Sequence, residues 1–100
     1  MKINIQTVHF DADAKLLEFI EQKINKLEHY FDHIIDAEVI LRLENSGQVR
    51  DKIAEVKMHV PGGTLMAKEI HPKAFEGAVD AATEAIRKQL IKFKEKQRTS

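Results

Sequence analysis

Apolar spacing changes period along this 100-residue chain, and the change restricts the folds open to it. Leu16, Leu17, Ile20, Ile24, Leu27 and Phe31 recur at helical intervals, lining one side of a helix with about 3.6 residues per turn. Phe75, Ala78, Val79, Ala82, Ile86, Leu90 and Phe93 do the same near the other end. Between these stripes the period falls to two. Val39, Leu41 and Leu43 alternate with Glu38, Ile40, Arg42 and Glu44, and Ala54, Val56, Met58 and Val60 alternate with Glu55, Lys57 and His59. Ile3 and Ile5 alternate in the same way with Lys2, Asn4 and Gln6. Strands with one apolar face need that face covered, and two amphipathic helices laid on the same side cover it. The spacing therefore predicts an α+β fold in the order β-α-β-β-β-α, with a mostly antiparallel four-stranded sheet and both helices packed on one face.

Local chemistry punctuates these elements. Asp11 and Asp13 can accept orphan backbone N–H groups at the start of a first helix over about residues 13–31. Asn45-Ser46-Gly47 reads as a turn between two antiparallel strands, and Pro61-Gly62-Gly63 as a tight turn into a strand at about 64–70. In that last strand Leu65 and Ala67 compete with Met66 and Ile70 for the buried face. Pro72 suits the first turn of a second helix that runs almost to the terminus. Gly77 lies inside that helix, where it costs about 1 kcal/mol relative to alanine. With no linker, repeat or low-complexity stretch, residues 1–100 are expected to form one domain, with an ordered core over about 2–96 and a short C-terminal tail.

Composition removes several function classes. The chain has no cysteine, which excludes disulfides, thiolate metal sites and cysteine nucleophiles, and a reducing cytosol fits this. Its apolar runs are only a few residues long, against the roughly 20 needed to span a bilayer, and Met-Lys-Ile-Asn-Ile at the start is not a signal-peptide core. A cytoplasmic protein without membrane contact is expected. His29 and His33 have the spacing of two metal ligands on one helical face, but no recognised third-ligand pattern accompanies them. Ser46 and Ser100 sit in loop and tail contexts, and Gly62-Gly63 is turn chemistry rather than a phosphate cradle. We expect no catalytic residue, no cofactor, no metal and no small-molecule substrate.

Charge is more informative. The sixteen basic and sixteen acidic side chains cancel, yet residues 85–100 hold six cations (Arg87, Lys88, Lys92, Lys94, Lys96 and Arg98) against Glu95 alone. Basic residues near a helix C-terminus complement its dipole, and Glu84 stands four residues before Lys88, but the dipole effect fades within the last turn and does not account for six cations. On a wheel of the first helix, Lys15, Phe19, Lys23, Lys26 and Tyr30 fall on one flank of the apolar stripe, and Glu18, Glu21 and Glu28 on the other. Cations interleaved with aromatic rings can neutralise phosphates and stack on bases or sugars. The same flank also fits edge-of-core rings beside solvated lysines.

Three stretches then resemble a known family. KINKLEHYFD at Lys23 to Asp32, HVPGG at His59 to Gly63, and RKQLIKFKEK at Arg87 to Lys96 are similar, in order and over essentially the whole chain, to the short ribosome hibernation-promoting factors, also labelled ribosome-associated inhibitor, ribosomal subunit interface protein or sigma-54 modulation protein. The resemblance implies a domain similar to double-stranded-RNA-binding modules. Its partners would be the small ribosomal subunit and its rRNA, in the decoding channel used by messenger and transfer RNA, with translation silenced in stress or stationary phase. Carried over by position, the RNA-binding residues are Lys23 and Lys26 with Arg87, Lys88, Lys92, Lys94 and Lys96; Lys15 and Tyr30 join them from the helix wheel. The chain departs from its relatives at Phe75, where a tyrosine is common, and at His71-Pro72, where the approach to the helix is usually more acidic. It stops four residues after Lys96, without the long forms' dimerisation domain, so a monomer is expected when free. Two other readings stand beside this one: a general double-stranded-RNA binder, and a protein-interaction regulatory module using the open sheet face around Ile40, Arg42, Ile53 and Lys57.

Overall fold

A computed structural model describes residues 1–46 and 49–99. Strand β1 (Lys2–Val8) leads into helix α1 (Ala14–Lys26), which tightens into a 3-10 turn at Leu27–His29; strands β2 (Asp36–Ser46), β3 (Val49–Val60) and β4 (Gly63–His71) follow, then helix α2 (Phe75–Thr99). The strands lie in the order β1-β2-β3-β4. β2, β3 and β4 are joined antiparallel as a meander, whereas β1 pairs parallel to β2 with Lys2 opposite Asp36 and Val8 opposite Arg42. A parallel pair needs a crossover, and α1 supplies it.

The helix-facing side of the sheet is the core. Ala37, Val39 and Leu41 from β2, Ala54, Val56, Met58 and Val60 from β3, and Ala67 from β4 meet Leu16, Ile20, Ile24 and Leu27 from α1 with its turn, and Ala78, Val79, Ala82, Ile86 and Leu90 from α2. Both predicted stripes face inward. In β4 the competition resolves in favour of Leu65 and Ala67, leaving Met66 and Ile70 more than half exposed at 53% and 56%.

Several boundaries differ from those the spacing predicts. Regular α-helix ends at Lys26 instead of continuing to residue 31, because the Leu27 N–H bonds the Ile24 carbonyl three residues back and the Tyr30 N–H repeats this with Leu27 at 3.0 Å. Leu27 and Phe31 remain buried, so the stripe outlasts the α-geometry. Asn45 and Ser46 extend β2 instead of turning, and Gly47 lies outside the described residues. Pro72 precedes α2, which begins at Phe75. The chain enters that helix through a turn in which His71 Nδ1 accepts from the Lys73 and Ala74 N–H groups at 3.1 and 3.0 Å.

Phe93 explains the Pro61-Gly62-Gly63 turn. Gly62 has φ +89°, open to glycine at little cost, and a Cβ on Gly63 would lie 3.1 Å from the Phe93 ring. Phe93 also meets Phe31 edge-on, with ring centroids 5.7 Å apart, so one aromatic cluster joins the segment that follows α1 and its 3-10 turn, the β3–β4 turn and the last third of α2.

Candidate nucleic-acid interface

Helices α1 and α2 lie side by side on the sheet, and the seam between them collects much of the predicted site. Asp13 starts α1, its carboxylate accepting from the Leu16 N–H at 2.8 Å. That start and the inward stripe fix the rotation of α1 and point Lys23 and Lys26 towards α2. The early end of the α-helix then turns Tyr30 into the same seam. Lys23, Lys26, Leu27 and Tyr30 line a surface cleft of about 200 Å³ with Asp80, Thr83, Glu84 and Arg87 of α2. A second cleft of about 260 Å³, between His29, Tyr30, Ile91, Lys94 and Glu95, adjoins it at Tyr30.

Within the first cleft Lys23 and Arg87 are held in place. Lys23 Nζ lies 2.6 Å from Asp80 Oδ1 and 5.6 Å from the centre of the Phe19 ring. Arg87 donates from Nε to Glu84 Oε2 at 3.0 Å and from a terminal nitrogen to Glu84 Oε1, and its guanidinium sits 5.8 Å from the centre of the Tyr30 ring. The bidentate bond from Arg87 holds the Glu84 carboxyl below its ordinary value, with the charges of Arg87, Lys88 and Lys23 adding to the effect, and Glu84 in turn raises Arg87. Glu84 therefore bonds Arg87, three residues on, while Lys88 acts on it only through its charge.

The structure thus brings Lys23, Lys26, Tyr30 and Arg87 together, with Lys94 across Tyr30. Lys15 is exposed near the start of α1, and Lys88, Lys92 and Lys96 are exposed along α2. The side chain of Arg98 lies outside what is described. Asp80, Glu84, Thr83 and Ile91 were not singled out by the sequence as site residues. Helical spacing could have flagged the Glu84–Arg87 pair, but nothing local links Lys23 with Asp80, 57 positions away.

The competing residues and positions also have definite places. Phe75 is buried and stacks on Phe10 with centroids 4.3 Å apart, so it serves the core and not the solvent-facing surface. His33 packs edge-on against Phe31, and His29 lines the second cleft. On the open sheet face Ile53 is buried among its neighbours, Ile40 and Lys57 are half-buried, and Arg42 is exposed. No helix among the described residues is long and apolar enough to cross a membrane.

The chain is similar to known proteins in both sequence and fold. The chain is 35% identical over 97 residues to the ribosome hibernation promoting factor of Azotobacter vinelandii, covering 97% of this chain and 86% of that one. It is 35% identical to the factor of the same name from Escherichia coli K12, covering 96% of both chains. It is also 34% identical to the ribosome hibernation promotion factor of Bacillus subtilis, where the match covers 96% of this chain and 50% of the longer relative. Among solved structures, a ribosomal subunit interface protein from Coxiella burnetii superposes with a TM-score of 0.83 at 23% identity, covering 95% of this chain and 99% of that one. The N-terminal domain of Thermus thermophilus Protein Y gives a TM-score of 0.80, also at 23% identity, covering 93% and 99%. Residues 3–98 match the family described as Sigma 54 modulation protein / S30EA ribosomal protein, and the chain belongs to that family.

Proposed function

We propose that this chain is a non-catalytic, cytoplasmic translation silencer. It associates with the ribosome, binds rRNA in the decoding channel of the small subunit, and blocks the messenger and transfer RNA sites during stress or stationary phase. The observation that carries the proposal is the seam itself: Lys23 and Lys26 from α1 meet Arg87 from α2 around the exposed Tyr30 ring, offering phosphate-binding cations beside a stacking surface. Lys88, Lys92, Lys94 and Lys96 extend the basic surface along α2, and Lys15 extends it along α1. Similarity to ribosome hibernation factors over nearly the whole chain supports the ribosome as the partner.

Sedimentation tests the reading. In sucrose gradients of a stationary-phase lysate the wild-type protein is expected to run with ribosomal particles. Replacing Lys23 and Lys26 together by glutamate, or Lys88 and Lys92 together, should move it to the top of the gradient while its circular dichroism is preserved. Charge reversal both removes attraction and adds repulsion, so it should exceed the effect of alanine. Reversing Glu18 and Glu21 on the opposite flank of α1 should leave binding unchanged or slightly stronger. If the lysine reversals bind like wild type and a folded Ile40→Asp variant does not, the binding surface is the open sheet face.

A further inference from the structure

The cleft that presents these cations also carries carboxylates bonded to them. Lys23 and Arg87 are each engaged by an acid from α2: Lys23 by Asp80 at 2.6 Å and Arg87 by Glu84 through two hydrogen bonds. Dipole complementarity explains acids in the first turn, where Glu76 stands, but Asp80 and Glu84 lie beyond it, on the side of α2 that faces α1. Three cations against two carboxylates leave the cleft with little net charge, as sixteen against sixteen leave the whole chain with none.

Generic attraction to nucleic acid is an electrostatic term: it follows the number of phosphates neutralised and is indifferent to sequence. A cell holds a large excess of RNA other than the site a ribosome-binding protein must find. A phosphate approaching Lys23 or Arg87 from a flexible strand has to displace a carboxylate already in place, and it gains little by the exchange. An RNA surface that reaches Lys23, Lys26, Tyr30 and Arg87 at once, while also touching the cations farther along α2, spreads that cost over many contacts. The carboxylates would also keep both long cationic side chains in one geometry, reducing the entropy lost on binding.

We infer that Asp80 and Glu84 are specificity-determining residues, which suppress binding to arbitrary single-stranded RNA and reserve the seam for a folded RNA surface. This inference rests on the reading of the chain as a ribosome binder. Selectivity comes from a penalty on wrong partners more than from extra attraction to the right one.

The test compares wild type with Asp80→Asn, Glu84→Gln and the double variant, each exposed and near-isosteric, for binding to poly(U) and to purified small ribosomal subunits across a salt series. The double variant should bind poly(U) several-fold more tightly. Its slope of log affinity against log salt should steepen by about 0.7 for each cation released. Affinity for the subunit should change less, so the ratio of the two affinities falls. Asp80→Glu combined with Glu84→Asp keeps both charges and should retain the wild-type ratio, separating charge from helix packing. An unchanged ratio in the double neutral variant, or its loss of binding to both RNAs, overturns the inference, while wild-type binding to the subunit still upholds the ribosome-binding reading. Failure of the wild-type protein to bind the subunit at all overturns both.

Discussion

A glycine inside a helix usually reads as a weak point to be filled with alanine. At Gly77 the surroundings reverse that advice. A Cβ there would lie 2.5–2.8 Å from atoms of the His71 ring, and the same ring accepts two backbone hydrogen bonds that shape the entry to α2. Gly77→Ala should therefore destabilise the protein by ~1 kcal/mol, because displacing the imidazole and its hydrogen bonds outweighs the similar gain in helix propensity. In a His71→Ala background the obstruction is gone, and the same substitution should become stabilising. A thermal or urea double-mutant cycle reads this directly; an alanine that stabilises the wild-type background would show that the ring gives way freely. The sequence exposed the oddity of Gly77 and of His71-Pro72 separately. Their connection required knowing that the end of β4 folds back onto the first turn of α2.

At the scale of elements, α1 depends on a single visible cap. Asp13 accepts the Leu16 N–H, and its replacement by alanine should cost about 1 kcal/mol, seen as a lower unfolding midpoint, with the effect confined to stability because Asp13 lies at the far end of the helix from the cleft. A similar loss of affinity for the ribosome in the folded variant would show that the rotation of α1 is loosely held. Asp13 was legible from its type and its place before an apolar stripe, and so were the stripes, the alternating strands and the Pro61-Gly62-Gly63 turn, because each is written in the spacing of neighbouring residues. The shortening of α1 was less legible. Leu27 and Phe31 keep apolar spacing through the 3-10 turn, so periodicity continues where α-geometry stops. The site divides in the same way: its cations lie on two helical faces that can be drawn from sequence, while the Lys23–Asp80 pair exists only because those helices are packed together.

The whole molecule is built unevenly in sequence separation. Strands β2 to β4 form a meander in which each strand pairs with the next, whereas β1 reaches β2 only after the chain has crossed over through α1. β1 is also an edge strand whose inward residues, Ile3 and Ile5, are half-buried while Ala37 and Val39 opposite them are fully buried. Local pairings close small loops at low entropic cost, and the distant one must wait for the rest. β1 is therefore expected to detach before the central strands of the meander when the folded protein fluctuates. Its amides should exchange with solvent deuterium ahead of those of β3, through an opening that costs less than global unfolding. In that opened state β2 displays an unpaired backbone edge, and the strand best shaped to fill it is β1 of another copy. The parallel pairing that completes this sheet is thus also its point of exchange: at high concentration, the route to a strand-swapped dimer starts at the N-terminus.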